Sequence, residues 1–353
     1  MHSAVQMVKV MRGDFEESVH FGHAVVADAR GGVIESWGDI NRMTLPRSSS
    51  KILQAIPLIE SGAAYKYYLN SEHLALACAS HDGALIHTNI VQEWLKDIEK
   101  SDSDLRCGPQ MPNDNMASSV LIKDNKKPCQ FHNNCSGKHT GFLTLSKFLC
   151  GGSDYHALDH PVQQTVKECF EEMTNTSNAG HAIDGCSAPN FACTLVGLAQ
   201  AMATIAEANE ISSSSRVKAS FKLLEAMINH PDLVAGEGRA CTDLMRASNK
   251  RVVVKTGAEA VFIAILPELK LGIALKIEDG STRASEAVIA ELLARYGVLD
   301  RNHPLVRKRL QGPITNWNGI KTGEYRVCFD CLLCAIKSSI WLNWSYFDII
   351  RLI

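Results

Sequence analysis

The chain of 353 residues is 46% apolar and 21% charged, enough to bury one large core or two modest ones, which excludes global disorder. Lys plus Arg number 36 and Asp plus Glu 38, a formal charge of −2, so there is no electrostatic footprint for nucleic acid or an acidic membrane surface. Twelve cysteines are spread through a chain too long to need a disulfide framework and are expected as reduced thiols.

The first twenty residues carry Lys9, Arg12, Asp14, Glu16 and Glu17, which interrupt any apolar leader, so no secretory signal is expected and the compartment is read as cytoplasmic. From Val5 to Glu35 short apolar runs read as strands, with a Gly31-Gly32 turn between Ala24-Val25-Val26 and Val33-Ile34. Between Ser48 and about Lys250 the period changes to helical, as in Ile52, Ala55, Ile56 and Ile59. Helices are expected from about Lys138 to Leu149 and from Phe191 to Ala206, and Ser212 to Ser215 can cap one starting near Val217. Val252 to Lys255, Val261 to Leu266 and Leu271 to Ile277 read as strands, and about Ser285 to Tyr296 as a helix. Val327 to Ile353 is apolar but broken by Asp330, Lys337, Asp348 and Arg351, leaving no bilayer span. Strands at both ends around a helical block predict an α+β fold in which the terminal strands share one sheet.

Pro46-Arg47-Ser48-Ser49-Ser50-Lys51 leads into an apolar-periodic helix, and among its serines only Ser48 stands three residues before Lys51. Positions i and i+3 share a helix face, so a neutral Lys51 amine could take the Ser48 proton, with free backbone N–H groups nearby for an oxyanion. The same spacing recurs by chance at Ser215 and Lys218. Lys255-Thr256-Gly257 closes a strand and forms the K-T-G triplet that accompanies S-x-x-K in serine acyl-transfer enzymes of the penicillin-binding and β-lactamase type. A second copy, Lys321-Thr322-Gly323, is expected in a loop, and an S-D-N element is absent.

His132-Asn133-Asn134-Cys135-Ser136-Gly137-Lys138-His139 and Asp184-Gly185-Cys186-Ser187-Ala188-Pro189-Asn190 set thiols among acids, amines and turn residues. Each thiol could be a buried structural cysteine, or a metal ligand or nucleophile. Ser80-His81-Asp82-Gly83 reads equally as a helix C-cap ending at Gly83. Cys328, Cys331 and Cys334 lack a fourth donor and make a poor zinc site.

Taken together, Arg47-Ser48-Ser49-Ser50-Lys51, Ser80-His81-Asp82-Gly83, the H-N-N-C-S-G-K-H string, Asp184-Gly185-Cys186 and Lys255-Thr256-Gly257-Ala258-Glu259-Ala260-Val261-Phe262 resemble the thermolabile, rhizobial-type L-asparaginases (asparaginase II, class 3) over about residues 5 to 327. The resemblance implies a serine β-lactamase/glutaminase-like fold and a homodimer. It also implies L-asparagine hydrolysis through an acyl-enzyme on Ser48, with Lys51 as base and Ser80 and Lys255 as the second half of the proton network. It further implies a zinc ion on Cys135, Lys138 and Cys186, with Arg47, His139 and Asp184 around the substrate. A lysine ligand must be neutral, so zinc affinity is expected to fall with pH. Two departures stand out. Ser187 occupies a position where glycine is expected, and residues 328–353 form an apolar, Cys-rich tail that is not read as a domain beside the catalytic 1–327. A penicillin-recognising acyl hydrolase and a non-catalytic amino-acid sensor are the competing readings.

Overall fold

A long second strand organises the molecule because its two halves serve different partners. In this computed structural model, which describes residues 3–328, the first half of Phe15–Asp28 pairs with Val5–Arg12. Its second half, an Ala24-Val25-Val26-Ala27 run buried on both faces, lies between Leu271–Ile277 and the hairpin strand Val33–Trp37. The main antiparallel sheet runs in the order Ile314–Thr315, Lys321–Val327, Val5–Arg12, Phe15–Asp28, Leu271–Ile277, Val261–Leu266, Val253–Gly257. Both β-strands from the ends of the described chain therefore meet in one sheet, as expected, with Val8 opposite Val327, and the fold is α+β.

The helix Leu195–Ala206 packs directly on the sheet. Its approach is possible because Gly272 has no side chain: a Cβ there would collide with the Ala199 carbonyl and the Ala203 amide. On the other side of the helical block, Lys51–Glu60 packs against Ser136–Leu149, Pro161–Thr174 and Ser215–Asn229. Ser214 caps the last of these, accepting from the Val217 amide. Among the described residues no helix is long and apolar enough to cross a membrane.

Four expectations are corrected. The helix expected from Phe191 starts at Leu195. Upstream of it, Pro189–Phe191 pairs with His181–Ile183 and Cys193–Thr194 with Met43–Thr44, so tertiary pairing overrides the local period. The helix read as starting at Ser285 starts at Thr282. Lys321-Thr322-Gly323 opens the strand Lys321–Val327, because Gly323 lies opposite Arg12 of the first strand. That partner is three hundred residues away in sequence and leaves no local signal. The helix before Ser80 ends at Ala77, and Gly83 sits in a loop at φ +80° rather than at a helix C-cap. Cys331, Cys334 and the apolar tail lie outside the described residues.

Candidate active site

Pro46 leads into a one-turn 3-10 segment, Arg47–Ser50, that continues straight into the helix Lys51–Glu60. Two of its serines are spent locally: Ser49 Oγ donates to the Pro46 carbonyl at 2.7 Å and Ser50 Oγ to the Arg47 carbonyl at 3.0 Å. The Ser48 hydroxyl, half-buried, has no hydrogen-bond partner among the described residues. Local bonding thus separates Ser48 from its neighbours by a criterion independent of spacing.

Lys51, 1% exposed, donates to the Ala79 carbonyl, to Ser80 Oγ at 3.1 Å and to Cys135 Sγ at 3.1 Å. The spacing had suggested contact with Ser48; the amine's hydrogen bonds go to Ser80 and Cys135. From the opposite side Lys255, also 1% exposed, donates to the same Ser80 Oγ at 2.9 Å and to the Thr256 carbonyl at 2.8 Å. Burial, with lesser help from the Lys51 charge, brings the Lys255 amine down to about 7. Ser80 is fixed by its amide, which donates to the Val234 carbonyl at 3.0 Å. Its hydroxyl is the meeting point of two amines carried by separate elements.

The strand Val253–Gly257 reaches the Ser48 turn only because its last residue is glycine. A Cβ on Gly257 would lie 2.5 Å from the Pro46 carbonyl oxygen and 3.1 Å from the Ser49 amide. Gly137 does the same for the thiol-bearing loop. A side chain there would strike the Leu76 carbonyl, so its absence lets the helix Ser136–Leu149 begin against the segment that leads to Ser80.

Cys135 directly precedes that helix, with its amide donating to Asn133 Oδ1 and its thiol to Asn134 Oδ1, both at 2.9 Å. One helical turn on, Lys138 Nζ donates to Cys186 Sγ at 3.1 Å. The two thiols lie within each other's electrostatic reach, which raises Cys135 well above the usual thiol range and lowers Cys186. The Cys135 thiol and then the Lys138 charge hold Cys186 far below the usual thiol range. Burial works against the Lys138 ammonium, but Cys186 and then Cys135 more than offset it, so the amine is held above its ordinary value. Burial pushes His139 down to about 4. Its Nδ1 meets the Tyr155 hydroxyl at 2.9 Å, and the ring is buried within the electrostatic reach of Cys186. Among the described residues no three His, Cys, Asp or Glu side chains converge as a metal cluster. The donor set is two thiols and an amine.

Arg47, at φ +53°, donates its guanidinium to Asp184 Oδ1 at 2.7 Å and its amide to Asn190 Oδ1 at 3.2 Å. Apart from Ser48, whose hydroxyl is unbonded, the site residues expected from the sequence fall into two linked groups: Ser80 with Lys51 and Lys255, and the Cys135, Lys138, Cys186 and His139 set with Arg47 and Asp184 alongside. Lys51 belongs to both. Tyr155, Asn133 and Asn134 hold this machinery and were missed as partners; a lone tyrosine carries no local signal, whereas the asparagines lie inside the H-N-N-C string. His81 is structural: it accepts from the Gly83 amide, meets Ser136 Oγ at 2.9 Å through Nε2, and stacks on His87 at 4.8 Å.

The L-asparaginase II family matches residues 8–327 of the chain. No curated protein sequence matches it. Among solved structures, the chain is similar to a β-lactamase from Mycobacterium bovis at 13% identity, covering 78% of this chain and 94% of that one with a TM-score of 0.37. It is also similar to a Bacteroides dorei chain assigned to the β-lactamases at 10% identity, covering 73% and 85% with a TM-score of 0.41.

Two substitutions test this geometry. Gly257→Ala forces the strand and the Ser48 turn apart, so it is expected to cost about 1–3 kcal/mol in chemical denaturation. A wild-type midpoint would refute the close approach. Ser187 sits at φ +69°, where a side chain is strained, so Ser187→Gly is expected to gain up to about 1 kcal/mol. A clear loss of stability would count against a left-handed residue there.

Proposed function

Since the chain belongs to the L-asparaginase II family over residues 8–327, we propose that it is an L-asparagine amidohydrolase that releases L-aspartate and ammonia through an acyl-enzyme on Ser48. The observation that carries this reading is the convergence of two buried lysines on the Ser80 hydroxyl, directly behind the turn that holds the one unbonded serine.

The proton path follows from the charges. Two ammonium groups cannot share one buried hydroxyl at low cost, and Lys255 is the one driven neutral near pH 7. Neutral Lys255 takes the Ser80 proton, Ser80 takes one from Lys51, and the Lys51 amine is then free to accept the proton of Ser48 as its oxygen attacks the side-chain amide. The same proton passes from Lys51 to the departing ammonia, and water repeats the cycle on the ester.

We further infer a zinc ion held by Cys135, Cys186 and Lys138. The fit rests on the donor chemistry: two buried soft thiols lie side by side, an amine hydrogen-bonds one of them, and the buried His139 lies beside them. A bound ion would supply Lewis acidity and fixed positive charge for orienting substrate or water. Loading requires Cys135 and Lys138 to give up protons that the fold retains, so affinity must fall as pH falls. The cytoplasmic compartment and the homodimer implied by the family resemblance complete the proposal; the exposed Met116, Val120 and Ile122 of the helix Asn115–Lys123 offer apolar surface for a partner copy.

Ammonia release from L-asparagine and L-glutamine, with nitrocefin turnover in parallel, tests the activity. We expect L-asparagine hydrolysis that disappears in Ser48→Ala. Nitrocefin turnover alone would support a penicillin-type hydrolase, and L-asparagine binding without turnover a sensor. Because neutral Lys255 is the required form, kcat/KM should rise as pH rises through about 7, and the always-charged Lys255→Arg should be inactive throughout. A wild-type profile in that variant refutes the path. For the metal, elemental analysis should find one zinc per chain, strongly reduced in Cys135→Ser and Cys186→Ser and lost on acidification; equal zinc in all three proteins refutes the ligand set.

A further inference from the structure

We infer that Glu259 receives the α-ammonium group of the amino-acid substrate, and so makes the site select α-amino amides over plain amides. The inference rests on the amidohydrolase reading and names a selecting residue that the catalytic groups do not supply. A zwitterionic substrate brings one cation and one anion to the site. Around the Ser48 turn the obvious acid, Asp184, is already committed to Arg47 by the 2.7 Å ion pair. A second carboxylate is needed, and it must be reachable and uncommitted.

Glu259 meets both conditions. It lies two residues beyond Gly257, in the turn Ala258–Ala260 that packs on the Arg47–Ser50 turn. The residue is exposed, and its carboxylate has no hydrogen bond or ion pair among the described residues. It nevertheless lies within the electrostatic reach of Arg47 and of Lys276. Neither cation saturates it: the Arg47 guanidinium is held by Asp184 and the Lys276 amine by the Ile277 carbonyl. Room for the carboxylate comes from Gly280, where a Cβ would sit 2.8 Å from Glu259 Oε2.

The backbone adds a second, independent observation. Glu259 and Ala260 are consecutive non-glycine residues in the left-handed region, at φ +57° and +56°. Such conformations persist only where surrounding structure enforces them, and they gather at ligand-binding turns. Arg47 at φ +53° and Ser187 at φ +69° are strained in the same way. Arg47 is ion-paired to Asp184, and Ser187 closes the Asp184 loop through its amide bond to the Asp184 carbonyl. Strained turns thus present one committed ion pair and one uncommitted carboxylate around the nucleophile.

The test compares L-asparagine with succinamate, the same amide and carboxylate without the α-amine. In wild type L-asparagine should be strongly preferred. Glu259→Gln should raise KM for L-asparagine about 10- to 100-fold, the weight of one charge-assisted hydrogen bond, with kcat within a few-fold and succinamate turnover unchanged. Glu259→Asp, which keeps the charge, should recover part of the preference, while melting temperatures stay at the wild-type value. An L-asparagine to succinamate ratio that is the same in wild type and Glu259→Gln overturns the assignment. If wild type hydrolyses neither amide, the amidohydrolase reading fails on its own. Calorimetric titration of L-asparagine then still decides: weaker binding to Glu259→Gln supports the role, and equal or absent binding to both proteins overturns it.

Discussion

Two lysine amines buried to 1% exposure and aimed at a single serine oxygen set the terms for the rest of the molecule. A buried ammonium without partners is prohibitively costly, so each amine must be fully furnished with acceptors or lose its charge. Lys51 has three hydrogen-bond partners, a carbonyl, a hydroxyl and a thiol. Lys255 has only Ser80 and its own neighbour's carbonyl, and burial lowers its amine to about 7. Satisfying both requires elements from three parts of the chain to converge: the first helix, the loop after Ala77 and the edge strand Val253–Gly257. The glycines at 137 and 257 are what make that convergence sterically possible.

The thiol group is coupled to the lysine pair rather than appended to it. Cys135 closes the acceptor set of Lys51 while interacting electrostatically with Cys186. A change in the charge of either thiol is therefore felt by the Lys51 amine, and the Ser80 network and the thiol–amine set form one electrostatic unit. Arg47, Ser187, Glu259 and Ala260, at positive φ like several residues elsewhere in the fold, border that unit. Regular backbone supplies its floor.

Much of this was legible in the sequence because the informative residues are clustered in short strings. S-x-x-K marked the first helix, the strand before K-T-G was visible in Val252-Val253-Val254, and the Gly31-Gly32 turn located the hairpin. What remained hidden depends on long-range partners. Lys51 turning to Ser80, the thiols of Cys135 and Cys186 meeting across fifty residues, and the strand at Lys321 are all decided by elements far away in the chain. The delayed start of the helix at Leu195 has the same origin, since Pro189–Phe191 and Cys193–Thr194 are claimed by neighbouring strands before the helical period takes over.

The pairing of Lys321–Val327 with Val5–Arg12 also has a temporal meaning. During synthesis the N-terminal hairpin emerges early, yet the strands that flank it on either side, Leu271–Ile277 and Lys321–Val327, appear only after most of the chain has left the ribosome. The Ala24 to Ala27 run must wait with both faces unburied, and the order of folding is set by closure of the most distant contacts. Lys255 arrives in that same late stage. A nascent or truncated chain therefore holds Lys51 and Ser80 long before it can hold Lys255, so the Ser80 hydroxyl meets only one of its two amines until the sheet closes.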